Sequence, residues 1–328
     1  MPDKKKLPPV LELIRDNIVE YKNPLALKPK EIGSWVKDLN LPQKGEILFY
    51  TGSEYQLLPY IDSLVKTLIL VDASSSLFSF MMGARKIVNK TGINAEKIYA
   101  SVLAQDKERF FSVNYKAAYI LQQLGYDICY DPQADIYTGA LLYELGFWKD
   151  LKTYAQHVAD LIRKTEAKVI VCTSPHAAEM FKIIYPKIVD FPEVQVKTFI
   201  EMVWEKRELL PALPDTEPVV IHDSCRLARD LGVSQEIRDI LDTVGVKYYE
   251  PIRSKEWTTC CGGPDKMLLP ELSKTLASRR VAELTDTGSK RALISCPYCL
   301  SSLQGGIDKE RPIALDDVVE FLYRGFKG

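Results

Sequence analysis

The chain repeats itself. Glu46-Ile-Leu-Phe-Tyr-Thr-Gly-Ser53 lies over Pro218-Val-Val-Ile-His-Asp-Ser-Cys225, and Ile120-Leu-Gln-Gln-Leu-Gly125 over Ile240-Leu-Asp-Thr-Val-Gly245. Further on, Tyr137-Thr-Gly139 lies over Cys260-Cys-Gly262, and Lys168-Val-Ile-Val-Cys-Thr-Ser-Pro175 over Lys290-Arg-Ala-Leu-Ile-Ser-Cys-Pro297. A register that holds at four separate places constrains the fold more than any single motif, because both copies must then form the same supersecondary unit. Within the copies, short apolar runs bounded by turn residues predict strands at Glu46–Tyr50, Tyr126–Tyr130, Lys168–Cys172, Val194–Phe199, Pro218–His222, Val246–Tyr249 and Arg291–Ser295. Helix-length periodic segments stand between them, including Tyr115–Leu124, Leu151–Lys164, Gln235–Val244 and Leu269–Thr285. Strand alternating with helix predicts βαβ units and a mostly parallel, buried sheet. The expected fold class is therefore α/β, with two pseudo-symmetric units of mostly parallel sheet and flanking helices. A linker near Pro211–Pro218 divides an N-terminal extension at 1–44 and a first unit at 45–210 from a second unit at 211–328. In the extension, an amphipathic helix around Val10 to Tyr21 precedes Pro24, Pro29 and Pro42, with Trp35 as an anchor onto the body.

Charge narrows the choice of partner. The 43 Lys and Arg residues almost balance 44 Asp and Glu, which removes the electrostatic argument for nucleic acid or an anionic membrane. The longest apolar stretch, Leu68 to Met82, is broken by Asp72 and a serine run, short of the ~20 residues a spanning helix needs. Lys4, Lys5 and Lys6 lead into an apolar run interrupted by Glu12, Arg15 and Asp16, which leaves no signal-peptide core. A soluble, cytoplasmic protein without a membrane span is expected. Neither Gly-x-Gly-x-x-Gly nor Gly-x4-Gly-Lys-Ser/Thr occurs, so nucleotide sites of those kinds are not expected.

The two copies differ in their cysteines. Of the chain's 7, five lie in the last third: Cys225, then 34 residues, Cys260-Cys261, then 34 residues, and Cys296-Pro-Tyr-Cys299. Three loops that each follow a predicted strand deliver them, and in a parallel sheet the strand C-termini share one edge. Five thiols can therefore converge, and thiolate suits zinc and iron–sulfur clusters above all. An odd count rules out complete disulfide pairing, and adjacent cysteines rarely meet disulfide geometry with each other. Buried inert cysteine is the general alternative, but a Cys-Cys pair, a Cys-x-x-Cys and a fifth thiol at matching strand ends make poor filler. Zinc is the competing metal, since four thiolates close a structural zinc site and Cys296-Pro-Tyr-Cys299 resembles a zinc-knuckle half. It would leave one thiol over, whereas five suit a multi-iron cluster.

The first copy has Ser53, Tyr137, Thr138, Ser174 and Ala177 where the second has cysteine. It also spends 84 positions between Ser53 and Tyr137, against 35 between Cys225 and Cys260. Five thiolates need compensation. Gly262 and Gly263 would let backbone amides approach sulfur, and a helix opening after Cys296 would present its positive end. Arg226, Arg229 and Lys266 adjoin ligand positions, and His222 is a candidate hydrogen-bond or proton donor to cluster sulfur. Solvated surface cations and a satisfied strand-end histidine are the plainer alternatives. Cys129 and Cys172 read as strand-core cysteines and His176 as a helix-start residue.

His222-Asp-Ser-Cys225, Cys260-Cys-Gly262 and Cys296-Pro-Tyr-Cys299 together resemble the cysteine-rich CCG domain of heterodisulfide reductase B and D subunits. Relatives of that kind occur in anaerobic glycerol-3-phosphate dehydrogenase, in glycolate and lactate oxidation complexes and in sulfur metabolism. The resemblance implies that the second copy is a complete cluster-binding unit and the first a degenerate one. It implies one iron–sulfur cluster of the [4Fe–4S] class, non-cubane in heterodisulfide reductase, held by Cys225, Cys260, Cys261, Cys296 and Cys299. It also implies electron transport, in some relatives with chemistry on sulfur–sulfur bonds, inside an oxidoreductase complex. Ser224 and Arg226 stand where the family commonly has Pro and His. The ferredoxin-like Cys-x-x-Cys-x-x-Cys runs of many relatives are missing from the sequence. Single electrons would then come from a ferredoxin-like C-type subunit, beside a flavin-bearing A-type subunit. A zinc-stabilised, non-catalytic scaffold of such a complex is the alternative. Substrate, direction of electron flow and cluster geometry are not legible in the sequence.

Overall fold

Each copy folds into a four-stranded, wholly parallel sheet. The computed structural model describes residues 9–36, 38–70, 107–213 and 217–327. The first sheet contains β1 (Ile47–Tyr50), β2 (Ile128–Cys129), β3 (Val169–Cys172) and β4 (Gln195–Thr198), in the order β2-β1-β3-β4. The second contains β5 (Val219–His222), β6 (Tyr248–Tyr249), β7 (Arg291–Ile294) and β8 (Ala314–Asp317), in the order β6-β5-β7-β8. The two orders coincide once the second is displaced by four strands, and every pairing is parallel. Strands such as Val169-Ile-Val-Cys172 and Val219-Val-Ile-His222 are near-continuous apolar runs because helices cover both faces of a parallel sheet. The turns repeat too. Gly125 and Gly245 follow the helices Lys107–Gln123 and Gln235–Thr243 with φ of 73° and 74°, left-handed stops that glycine adopts without a Cβ penalty.

All seven expected strands are present, most trimmed at the ends, and β8 is an addition. Ala314-Leu-Asp-Asp317 offers one large apolar residue and escapes any periodicity test, yet it pairs along β7 as β4 pairs along β3. Asp317 then caps the helix Val318–Tyr323 by accepting from Val319, as Thr198 caps Phe199–Glu205 by accepting from Glu201. The extension behaves as expected. Helix Pro9–Tyr21 buries Ile14 and Ile18, and Trp35 packs 5.3 Å from Phe49 and 4.8 Å from Tyr130 between ring centroids. Most of the apolar stretch Leu68–Met82, and Lys4–Lys6, lie outside the described residues. Among the described residues no helix is long and apolar enough to cross a membrane.

The units share a core. The largest apolar cluster takes Phe49, Ala117 and Val171 from the first and Val220, Leu293 and Phe321 from the second. Around it, Glu320 receives Arg109 at 2.8 Å and Lys116 at 3.0 Å. The Tyr55 hydroxyl donates to Asp317 at 2.6 Å, and burial pushes that carboxyl up to about 7. An unfolded aspartate titrates near ~3.9, so between that pH and about 7 the folded chain holds a proton the unfolded chain has released. Stability from this group is complete below the lower value and is lost as pH rises through the higher one. Denaturant unfolding at about pH 5.5 and 7.5 should therefore show a fall that Asp317→Asn, which keeps the cap, makes shallower. An identical fall in both proteins would remove Asp317 as its source.

Candidate metal centre

Three strand ends of the second sheet bring five thiols together. Cys225 stands three residues beyond the end of β5, Cys260 and Cys261 on the long loop after β6, and Cys296 just beyond β7. Cys296 is the N-cap of helix Pro297–Gln304, which places Cys299 in its first turn. The Cys299 backbone N–H donates to the Cys296 sulfur, so the Cys-Pro-Tyr-Cys spacing sets both sulfurs at the positive end of that helix. Each thiol interacts with the next in the series: Cys225 with Cys260, Cys260 with Cys261, Cys261 with Cys299, and Cys299 with Cys296. Cys261, Cys296 and Cys299 are buried, while Cys225 and Cys260 are partly exposed.

Protonation is uneven along the series. Hydrogen bonds from the Cys225 and Cys261 thiols, against the effect of burial and with help from Gly262 N–H at 3.3 Å, pull Cys260 down to about 2. Cys296 is also held low: burial opposes its ionisation, but donors from Cys299 and His176 outweigh it. Cys225, Cys261 and Cys299 are pushed up, each chiefly by serving as donor to a neighbouring sulfur. A metal taking all five would thus displace the protons of the three raised thiols. The backbone that permits this is glycine. Gly262 sits at φ 77°, and a Cβ there would meet Ser273 O at 2.7 Å and Ser273 Cα at 2.9 Å. Its partner in the repeat, Gly139, has φ 76°.

His222, at the end of β5, is fully buried and held neutral by burial and by the Arg280 guanidinium. Arg280 Nε donates to His222 Nδ1 at 3.0 Å, so the ring proton resides on Nε2. That atom finds no nitrogen or oxygen partner among the described residues. A ring nitrogen of His222 lies within 4.8 Å of the Cys261 and Cys299 sulfurs, and in this tautomer Nε2 is a donor rather than a ligand.

The three candidate cations serve other ends. Arg226 turns away to the first unit, where it binds Glu179 at 2.6 Å and Glu144 at 2.7 Å. Lys266 likewise reaches Asp62 of the first unit at 2.6 Å and the Ser301 hydroxyl at 2.8 Å. Arg229 donates to the carbonyls of Glu256 at 3.0 Å and Thr258 at 2.9 Å, and so shapes the loop that leads to Cys260. Arg226 still feels the charge of the neighbouring Cys225, but its hydrogen bonds go to carboxylates.

Sequence reasoning passed over the residues that hold the ligand loops in place. Asp223 binds Arg238 through both oxygens at 2.8 and 2.9 Å, and Arg238 also reaches Glu250 at 2.6 Å. Asp223 further accepts from Lys255 N–H at 2.6 Å, and its carbonyl accepts from the Thr258 hydroxyl at 2.8 Å. It thereby ties the Cys225 loop to the Cys260 loop. The first unit has the same lock with the roles exchanged: Thr51 stands where Asp223 does, Asp135 where Thr258 does, and the Thr51 hydroxyl donates to Asp135 at 2.6 Å. A faint signal existed, since Arg238 and Arg280 lie among the apolar positions of their helices.

In the first unit the ligand positions are closed off. Tyr137, in the place of Cys260, is wholly buried, and its hydroxyl accepts from Leu141 N–H at 3.0 Å. Ser174 caps helix Pro175–Glu179 and binds the buried carboxyl of Glu54, which burial raises to about 7. Cys172 and Cys129 are strand-core thiols, both pushed up by burial. His176 does begin a helix as expected, but its ring crosses to the other unit, where Nδ1 lies 3.9 Å from the Cys296 sulfur.

Comparison with known proteins gives one family match and several relatives. Residues 219–304 match the CCG cysteine-rich domain family. The D subunit of the dihydromethanophenazine:CoB–CoM heterodisulfide reductase of Methanosarcina acetivorans is 25% identical over 311 residues, 92% of this chain and 64% of that protein. The EtfAB:quinone oxidoreductase of Syntrophomonas wolfei is 25% identical over 263 residues, 75% of this chain and 37% of that protein. The probable iron-sulfur-binding oxidoreductase FadF of Bacillus subtilis is 32% identical over 173 residues, 50% of this chain and 24% of that protein. The chain spans less than two thirds of the length of each of these relatives.

Proposed function

Since residues 219–304 are a CCG cysteine-rich domain homologous to that of the heterodisulfide reductase D subunit, we propose that the chain is an iron–sulfur redox subunit of a heterodisulfide-reductase-like complex. Residues 211–328 form the complete cluster-binding unit in this reading and residues 45–210 a degenerate copy. One cluster of the [4Fe–4S] class would be held by Cys225, Cys260, Cys261, Cys296 and Cys299. The observation that carries the reading is the series of five mutually interacting thiols, three of them buried. The surroundings fit such a group: Gly262 N–H faces sulfur, and His222 Nε2 is a buried donor without another partner. A bound cluster there would accept and release single electrons.

The chain's own residues do the rest. His222 would offer Nε2–H to the bound group, Arg280 holds its tautomer, and Arg229 and Asp223 fix the two loops that carry Cys225 and Cys260. Sulfur chemistry on a thiol or disulfide substrate would take place beside Cys225 and Cys260, the two partly exposed cysteines of the five. Partners are a ferredoxin-like C-type subunit that delivers electrons and a flavin-bearing A-type subunit. Curated relatives that are themselves heterodisulfide reductase D subunits support a place in a multi-subunit assembly.

Metal analysis tests this. Anaerobically purified protein should be brown, with broad visible absorption and about four irons per chain matched by acid-labile sulfide. A colourless protein with a single zinc would instead make the chain a zinc-stabilised scaffold, using four thiols and leaving one free.

A further inference from the structure

We infer that His176, supplied by the unit without ligands, completes the cluster site of the other unit by donating a hydrogen bond to the Cys296 sulfur, and so raises the cluster's reduction potential. The inference rests on the iron–sulfur reading above. His176 and Tyr298 occupy equivalent positions in the two copies, each directly after the proline that follows Ser174 or Cys296. They meet across the boundary between the units with ring centroids 4.5 Å apart and planes tilted by 51°. Where equivalent residues touch, the two ligand loops face one another, and the emptied loop offers a side chain to the filled one.

The ring has little freedom. The residue is 5% exposed, and the His176 backbone N–H donates to the Ser174 hydroxyl oxygen at 3.2 Å. Nδ1 lies 3.9 Å from Cys296 Sγ, and Nε2 lies 3.7 Å from Glu144 Oε1. Nδ1 thus confronts sulfur and Nε2 a carboxylate oxygen, and a proton on Nδ1 would be donated to Cys296 Sγ. Glu144 is in turn bound at 2.7 Å by Arg226, the residue after Cys225. The contacts close a circuit from Cys225 through Arg226, Glu144 and His176 to Cys296, which runs through both units. A hydrogen bond to ligand sulfur in a dry site favours the more negative, reduced cluster and raises its potential.

The experiment compares the full-length chain with His176→Phe, which keeps an aromatic ring against Tyr298 but has no donor, and His176→Gln, which keeps one. Iron and sulfide per chain are measured together with the midpoint potential from a spectroscopic redox titration. The inference expects wild-type iron content in both variants, the lowest potential in His176→Phe, and an intermediate value in His176→Gln. An unshifted potential in His176→Phe overturns it, as does loss of iron from both variants, which would make His176 a ligand or a prop. Zinc in the wild-type chain would overturn the iron–sulfur reading itself; iron in the wild type with an unshifted His176→Phe sinks this inference alone.

Discussion

Cys296→Ser should leave the chain without its cluster, taking iron from about four per chain to near none and erasing the visible absorption. Cys296 is one of two sulfurs held low in pKa, it contacts Cys299 and His176, and it begins the helix that carries Cys299. Serine is also a good N-cap, so the helix survives and the loss is one of metal rather than of fold. Its hydroxyl, however, is a hard donor that does not replace thiolate on a soft centre. The matched control is Cys129→Ser. That thiol lies in β2 with its sulfur 3.6 Å from Gly45 O, and it takes no part in the thiol series. Iron content should stay at the wild-type level there. Equal loss from both substitutions would show that the ligand assignment is wrong.

Arg238→Ala should cost about 3–5 kcal/mol of unfolding free energy, measured by urea denaturation of the chain. The side chains of Arg238 and Asp223 are 2% and 3% exposed, and truncating the arginine leaves Asp223 charged, buried and without its bidentate partner. Glu250, at 36% exposure, can recover water and adds less. Because Asp223 also ties the Cys225 and Cys260 loops, the variant should lose iron at a lower urea concentration than the wild type. Arg15→Ala is the reference, since the Arg15–Asp16 pair is exposed and its removal should change stability by less than about 1 kcal/mol. An Arg238→Ala effect as small as that of the reference would mean that solvent or rearrangement already compensates Asp223.

Much of the architecture was legible before any coordinates. Repetition and alternating periods are local properties, so they anticipated two parallel sheets and the arrival of five cysteines at one sheet edge. Strand β8 was not legible, because Ala314-Leu-Asp-Asp317 owes its conformation to pairing along β7 and to no preference of its own. The lock made by Asp223, Arg238 and Thr258 was hidden for a related reason: Asp223 and Thr258 are 35 positions apart and meet only once both loops are folded.

The spacing of the cysteines after apolar strands determined the kind of site this chain could build, since strand ends in a parallel sheet gather whatever follows them. Only the tertiary structure decided what surrounds those sulfurs. Arg226, for which a place beside them was one of two readings, binds Glu179 and Glu144, 47 and 82 positions away, whereas His176, expected merely to open a helix, reaches Cys296 across 120. Charge pairing falls off steeply with distance and depends on burial, and both are set by how one unit packs on the other rather than by the order of residues in either.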